Sequence, residues 1–443
     1  MIHKIYSERG MLSGVAMLVC VTLDIEGCRN IDNLRTAINF AVNRHESLRS
    51  RIIQDCDGDA YYVLREQRVE PKIEVRDYHM ELEAFINEQE KIPFCLAQGE
   101  MARFVIEDLD SRLNLKIAAH HMAGDGKSIM ILADNIMTNL KEIEEGVFTY
   151  KDKPMIPLKT LDKKFFEKHI EVSDLLKGSM EEYNNKWMND KVVFEYEDYL
   201  KVFNQYWENH RTFVKCLKVD ASTMKKLCAK SRENGVTINS VICTAATQVI
   251  AEAKRMVVIA DTRPENWRGM GNFAGAIMIE GGYDSNQSFW GNAKYNHNQI
   301  HTRLVDRSQA LFGNAFPELL DGSFHDAVTF NVSGAFENEL AENFNNLYSM
   351  RNSDCAFIIS NLGANRMDTN YGSLEVKNVQ FASPMIPDAN CNIGVVTNGG
   401  EMSIVMEYRK NTSIDYELML DGVEEILNSI AEEDEIEKIY QLA

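Results

Sequence analysis

Leu113, Leu115, Ile117 and Ala119 alternate with Asn114, Lys116 and Ala118, a period of two that predicts a strand running into histidines at 120 and 121. Ile129, Leu132, Ala133, Ile136, Met137 and Leu140 then recur at helical spacing, so Met122-Ala123-Gly124-Asp125-Gly126 is a turn from strand to helix. Upstream, the β-branched run at 14–24 predicts a buried strand. Leu34, Ala37, Ile38, Ala41, Val42 and His45 predict one helix over 34–52, capped by Asp32. Strand-like runs at 61–65 and 72–75 and a polar helix at 81–90 follow. From 149 to 210 Lys and Glu become dense, Pro154 and Pro157 interrupt, and only helical pieces at 162–169 and 179–187 are legible. The second half predicts a strand at 212–219, a helix at 222–232, and a helix from 236–239 through 253 that is apolar nearly all round and therefore buried. A strand at 256–260, a hairpin of 393–398 and 402–408 joined by Gly399-Gly400, a helix at 415–430 and an acidic tail complete the pattern.

The chemistry concentrates at the motif turn. Adjacent strand residues point to opposite faces, so His120 and His121 cannot readily share one metal; one is packed and the other presented. That alternation argues against a metal-dependent hydrolase. Gly124 and Gly126 let the chain turn tightly, and a helix starting near Gly126 aims free N–H groups at the site. A base beside such an anion-stabilising corner suits acyl transfer. No G-x-S-x-G elbow occurs and no cysteine sits in the histidine motif, which disfavours an acyl-enzyme.

At 443 residues the chain is long enough for two or three domains. No apolar run approaches a bilayer's width, and residues 1–10 lack the apolar core of a secretory leader, so cytoplasm is the default expectation. Nine scattered cysteines without C-x-x-C spacing predict reduced thiols and no metal site. The net charge of −20 argues against nucleic acid or an anionic membrane as partner. An anionic thioester donor would then need a local basic patch, for which Lys159, Lys163, Lys164 and Lys168 are candidates.

The stretch Ala119-His120-His121-Met122-Ala123-Gly124-Asp125-Gly126 resembles the HHxxxDG signature of the chloramphenicol acetyltransferase and peptide-synthetase condensation-domain superfamily, which includes wax ester synthases and alcohol acyltransferases. Arg44-His45-Glu46-Ser47-Leu48-Arg49-Ser50 looks like the RHExLRT segment of condensation domains. Residues 93–103 resemble their PFDLxxGPLxR segment, with Cys95 and Glu100 departing from the usual Asp and Pro. Asp261-Thr262-Arg263-Pro264 with Gly271-Asn272-Phe273 resembles a later RP turn and GN strand. Phe357 to Gly363 is similar to the Ser-Asn segment of wax ester synthases, with Leu362-Gly363 where Pro-Gly is usual.

The resemblance implies an α/β fold of two acetyltransferase-like lobes in a V with a tunnel between them. The expected division is an N-terminal lobe over 1–150, a helical crossover over 151–210 and a C-terminal lobe over 211–443. It also implies an acyltransferase or condensation enzyme of secondary metabolism, moving an acyl group from coenzyme A or a phosphopantetheinyl carrier protein to an alcohol or amine. In that reading His121 is the general base and His120 its packed neighbour, while Asp125 holds the turn by pairing with an arginine, either Arg44 or Arg49. The N–H near Gly126 would meet the oxyanion, with Ser360 and Asn361 as further candidates. No bound cofactor is expected, and the thioester donor and small acceptor are the partners of an expected monomer. The competing reading is a non-catalytic relative that binds an acyl chain or a carrier domain.

Overall fold

The computed structural model describes residues 1–28, 30–149, 153–250, 253–348, 355–364, 367–387, 389–410 and 412–432; the acidic tail beyond 432 lies outside them. Two six-stranded sheets organise the chain. The first runs in the order Asn370–Tyr371, Leu374–Ala382, Leu18–Glu26, Arg112–His120, Ala102–Leu109, Lys72–Arg76, antiparallel except for its last pair. Val19, Val21, Leu23 and Ile25 face the same side as Leu113, Leu115, Ile117 and Ala119, where the amphipathic helices Ile31–Arg44 and Gly126–Glu144 cover them. Burying both faces of Leu18–Glu26 explains its unbroken apolar run.

The second sheet has the order Ala274–Glu280, Arg255–Asp261, Phe357–Ala364, Cys391–Asn398, Glu401–Tyr408, Phe213–Val219. Strand Phe357–Ala364 lies parallel to both neighbours. Helices Ile238–Val249 and Tyr416–Glu432 bury their apolar faces against this sheet. The expected hairpin forms, with Gly399 and Gly400 at φ of 58° and 86°, the left-handed values of a two-residue turn. The expected α/β architecture of two lobes, each a six-stranded sheet covered by helices, is thus the observed one.

Three expectations change. The predicted helix at 34–52 ends at Arg44: His45 is extended (φ −102°, ψ 124°), a short turn Glu46–Arg49 follows, and Ser50–Gln54 is a strand paired with Ala60–Leu64. Buried Glu46 holds this break by accepting the Leu158 N–H at 2.8 Å. Residues 374–382, placed by the expected division in the C-terminal lobe, form an unpredicted strand, Leu374–Ala382, that extends the first sheet beside Leu18–Glu26. The crossover's predicted helical pieces form as Lys163–His169 and Asp174–Trp187, and an unpredicted helix, Tyr196–Asn209, joins them. Helices Asp174–Trp187 and Tyr196–Asn209 place Met180, Trp187, Tyr206 and Trp207 in a core with Phe324, Phe330 and Phe344. Those three aromatics come from helices Gly322–Val332 and Glu339–Leu347, in a region left without a prediction. Buried Arg9 pairs with Asp326 beneath that core, and the Tyr199 hydroxyl donates to the same carboxylate at 2.6 Å.

Buried ionisable groups set a pH dependence for folding. Burial holds His45 and His120 down at about 3 and His325 at about 4, so protons bind the unfolded chain preferentially below 6.5, and stability falls as pH drops through that window. Burial pushes Glu8 up to about 7 and Glu90 to about 8, so their contribution is present below 4.5 and lost as pH rises through those values. The two trends oppose each other only between 4.5 and 6.5. The urea midpoint is therefore expected to be highest in that interval and lower at about pH 8.5, where only the glutamate effect acts; a midpoint still rising from 6.5 to 8.5 would contradict the neutral burial of these acids.

Candidate active site

The motif strand Arg112–His120 ends opposite Leu18, and His121–Ala123 forms a single 3-10 turn before helix Gly126–Glu144. The His121 N–H donates to the Met17 carbonyl at 2.8 Å, which pins the turn to the neighbouring strand's approach. The two imidazoles leave on different sides. His120 packs edge-on to Phe94, and its Nδ1 accepts the Met122 N–H at 3.2 Å, so its proton resides on Nε2. His121 Nδ1 lies 2.9 Å from Oδ1 of Asn272, so there the proton resides on Nδ1 and Nε2 carries the lone pair. The Asn272 amide is oriented in turn by the Tyr62 hydroxyl, which donates to the Met122 carbonyl at 3.0 Å. Burial lowers the pKa of His121, with Asp125 and Asn272 opposing, and keeps the ring neutral near pH 7.

Asp125 caps the helix by accepting the Ser128 N–H at 2.8 Å. Its partner is Arg263, neither Arg44 nor Arg49. Nη2 of Arg263 lies 2.8 and 3.1 Å from the two carboxylate oxygens, and the Phe273 N–H donates to Oδ2 at 3.0 Å. Arg44 instead donates to Asn135 at 3.2 Å, and Arg49 to the carbonyls of Arg65 and Glu66 at 3.0 and 2.9 Å; both are held within the N-terminal lobe. Arg263 also donates to the Gly269 carbonyl and stacks its guanidinium 4.5 Å from the Phe273 ring. One carboxylate therefore fastens the loop that carries Asn272 to the helix that follows His121.

Arg263 and Asn272 are the site residues to which no role was assigned from sequence, although both lie in segments that carried the resemblance. Ser360 opposes Gly394 within the second sheet. Asn361 closes a local turn on the Gly363 N–H at 2.8 Å, and its amide faces Asn239 at 3.2 Å. Leu362, next to them, touches the start of the motif helix: a Cβ on Gly126 would sit 3.2 Å from its Cδ2 and 2.6 Å from the ring of Phe381. Gly126→Ala is expected to destabilise the protein by about 1–3 kcal/mol through overpacking. Adding Phe381→Leu should recover part of that loss in a double-mutant cycle read by urea unfolding. Of the candidate basic patch, Lys163, Lys164 and Lys168 share one short helix, Lys163–His169, and Lys159 lies over Trp267. Among the described residues no group of three or more His, Cys, Asp or Glu could hold a metal ion, and no helix is long and apolar enough to cross a membrane.

A family model of the condensation domain matches residues 13–259, more than half of the chain. The chain belongs to the condensation-domain family. Bacitracin synthase 2 of Bacillus licheniformis is 26% identical over 239 residues, which cover 52% of this chain and 8% of that protein. The chain thus matches a small part of a much longer relative. Its fold follows that of the first condensation domain of the calcium-dependent antibiotic synthetase, with a TM-score of 0.66 at 12% identity over 99% and 98% of the two chains. The epimerization domain from the third module of tyrocidine synthetase B gives a TM-score of 0.61 at 14% identity, over 98% of each chain. At these identities the likeness is one of fold, and the chemistry of this condensation-family chain has to be read from its own residues.

Proposed function

We propose that the protein moves an acyl group from a thioester, borne by coenzyme A or by a phosphopantetheinyl carrier protein, to an amine or alcohol. The observation that carries this reading is the opposite tautomers of the two motif histidines. His120 has its proton on Nε2, whereas His121, held by Asn272, keeps Nε2 free to accept one. In the transfer the acceptor's nitrogen or oxygen forms a bond to the thioester carbon as Nε2 takes its proton. The oxyanion collapses, the C–S bond breaks, and the imidazolium returns the proton to the departing thiolate. The N–H groups opening helix Gly126–Glu144 are the candidate oxyanion donors.

A second reading, a condensation-like protein that binds an acyl chain or a carrier domain without turnover, is favoured by one feature. A mostly apolar cavity is walled by His120, and His121 is not on its lining. The deciding experiment follows free-thiol release and product mass for wild type and His121→Ala, with acyl-coenzyme A and carrier-loaded thioesters against pooled amines and alcohols. Transfer by the wild type and its loss in the variant are expected; binding of a donor with no transfer by the wild type would favour the second reading.

A further inference from the structure

We propose that the cavity of about 770 Å³ between the end of the motif strand and helix Tyr196–Asn209 is a ligand site of its own, for a neutral acyl ester or thioester whose carbonyl accepts the Nε2–H of His120. Leu18, Ile52, Phe94, Leu200, Phe203 and Trp207 give it an apolar wall, and the volume lies in the range of small-molecule sites. Neither His121 nor Asn272 lines it, so the site is separate from the proposed base and its occupancy rests on neither reading of the function.

His120 brings an unspent donor to that wall. It is 9% exposed, its Nδ1 is taken by the Met122 N–H, and its proton is on Nε2. Burial, reinforced by His121 and Arg103, holds the ring's pKa at about 3, so it stays neutral and keeps that single N–H. Both ring nitrogens of His45 are sealed in the protein without a partner; Nε2 of His120 also lacks one among the described residues, yet it is not sealed. The other buried polar groups of the wall are spent or shut away. Ser13 donates to the Arg9 carbonyl at 3.1 Å, Trp207 to the Val15 carbonyl at 3.1 Å and Gln89 to Glu88 at 3.0 Å, while the unpartnered oxygens of Gln89 and Glu90 have no accessible surface.

A buried donor left open selects an acceptor, because the unpaired group costs a few kcal/mol at most and a carbonyl completes it. Charge narrows the choice. Asp55, Glu195 and Glu197 lie on the lining and, among the described residues, no lysine or arginine does, so a carboxylate head finds no counter-ion there. Arg103, whose charge reaches His120, is stacked 4.0 Å from the Phe94 ring and bonded to Glu100 and to the carbonyls of Ile92 and Pro93. An ammonium would set donors against a donor. An ester or thioester carbonyl is neutral and brings acceptors alone.

The test titrates methyl decanoate, decanoate and decylamine into the full chain, with calorimetry and the emission of Trp207 as readouts and Trp207→Phe assigning the optical signal. Methyl decanoate is expected to bind at least about tenfold more tightly than the other two in the wild type. Carbonyl-labelled methyl decanoate reports the bond itself by infrared: its C=O stretch should lie below the hexane position in the wild type and in His121→Ala, and return to it in His120→Leu. Leu200→Trp, which fills the cavity, should abolish binding. Equal or tighter binding of decanoate or decylamine would overturn the proposal, as would a wild-type stretch at the hexane position or a lowered stretch that survives in His120→Leu. The wild-type ranking and stretch stand even if a variant fails to fold. Displacement of the bound ester by decanoyl-coenzyme A would assign the site to the thioester donor, and retention of the ester would assign it to free acyl esters. A chain that binds the ester in this way and transfers no acyl group would overturn the acyltransferase reading and leave this site intact.

Discussion

His121→Ala is expected to lower kcat/KM for thioester transfer by about 10²- to 10⁴-fold, the usual loss when a positioned general base is removed. The substitution also leaves the buried Asn272 Oδ1 without its 2.9 Å donor, so a loss of about 1–3 kcal/mol in urea unfolding should accompany the loss of rate. His120→Ala should behave differently. That ring is packed against Phe94 and caps the Met122 N–H, so its removal acts on folding before it acts on rate. The pH profile separates a base from a merely structural imidazole. Burial lowers the His121 pKa, so the base stays unprotonated through neutrality and the rate should be flat there, falling only as pH drops below the ordinary value of 6.5. Asn272→Leu leaves Nδ1–H without an acceptor. It should lower kcat more than it raises KM and move the acid limb, because Asn272 now supports the protonated ring. An acid limb at or above 6.5 in the wild type would remove His121 from the role of base.

Much of this was legible in the sequence because the signals were local. The motif strand, the helix after Gly126 and the Gly399-Gly400 hairpin each announce themselves within about ten residues, by period or by turn chemistry. The misses are of two physical kinds. Strand Leu374–Ala382 hides because its parity changes at a bulge: Leu374 and Val376 face one way, Asn378 takes a φ of 49°, and Val379 and Phe381 resume on odd numbers. No alternation long enough to read survives that break. Helix Tyr196–Asn209 hides because its inner face is only Val202, Tyr206 and Trp207 on a charged background. The partner of Asp125 was out of reach for another reason. Arg44 and Arg49 were nearer in sequence, yet both are engaged inside their own lobe, whereas Arg263 is 138 residues away and arrives only when the second sheet's Arg255–Asp261 strand is in place.

That distance makes Asp125 the most informative stability probe. Asp125→Ala is expected to destabilise the protein by about 3–5 kcal/mol, because it leaves the Arg263 guanidinium buried without its counter-ion. It also removes the cap of the motif helix and the acceptor of the Phe273 N–H. The effect should reach the rate as well, since the loop released by Arg263 is the one that sets Asn272 against His121. Asp125→Asn keeps an oxygen for the Ser128 N–H and loses the ion pair, so it should fall between wild type and alanine in urea unfolding. Arg263→Met tests the opposite side of the pair. If the carboxylate's main work is to neutralise that guanidinium, Arg263→Met combined with Asp125→Asn should be less destabilised than the sum of the single variants. Strict additivity would assign Asp125 to helix capping alone, and the coupling between the two lobes would then have to come from the Ser128 contacts with Gly271.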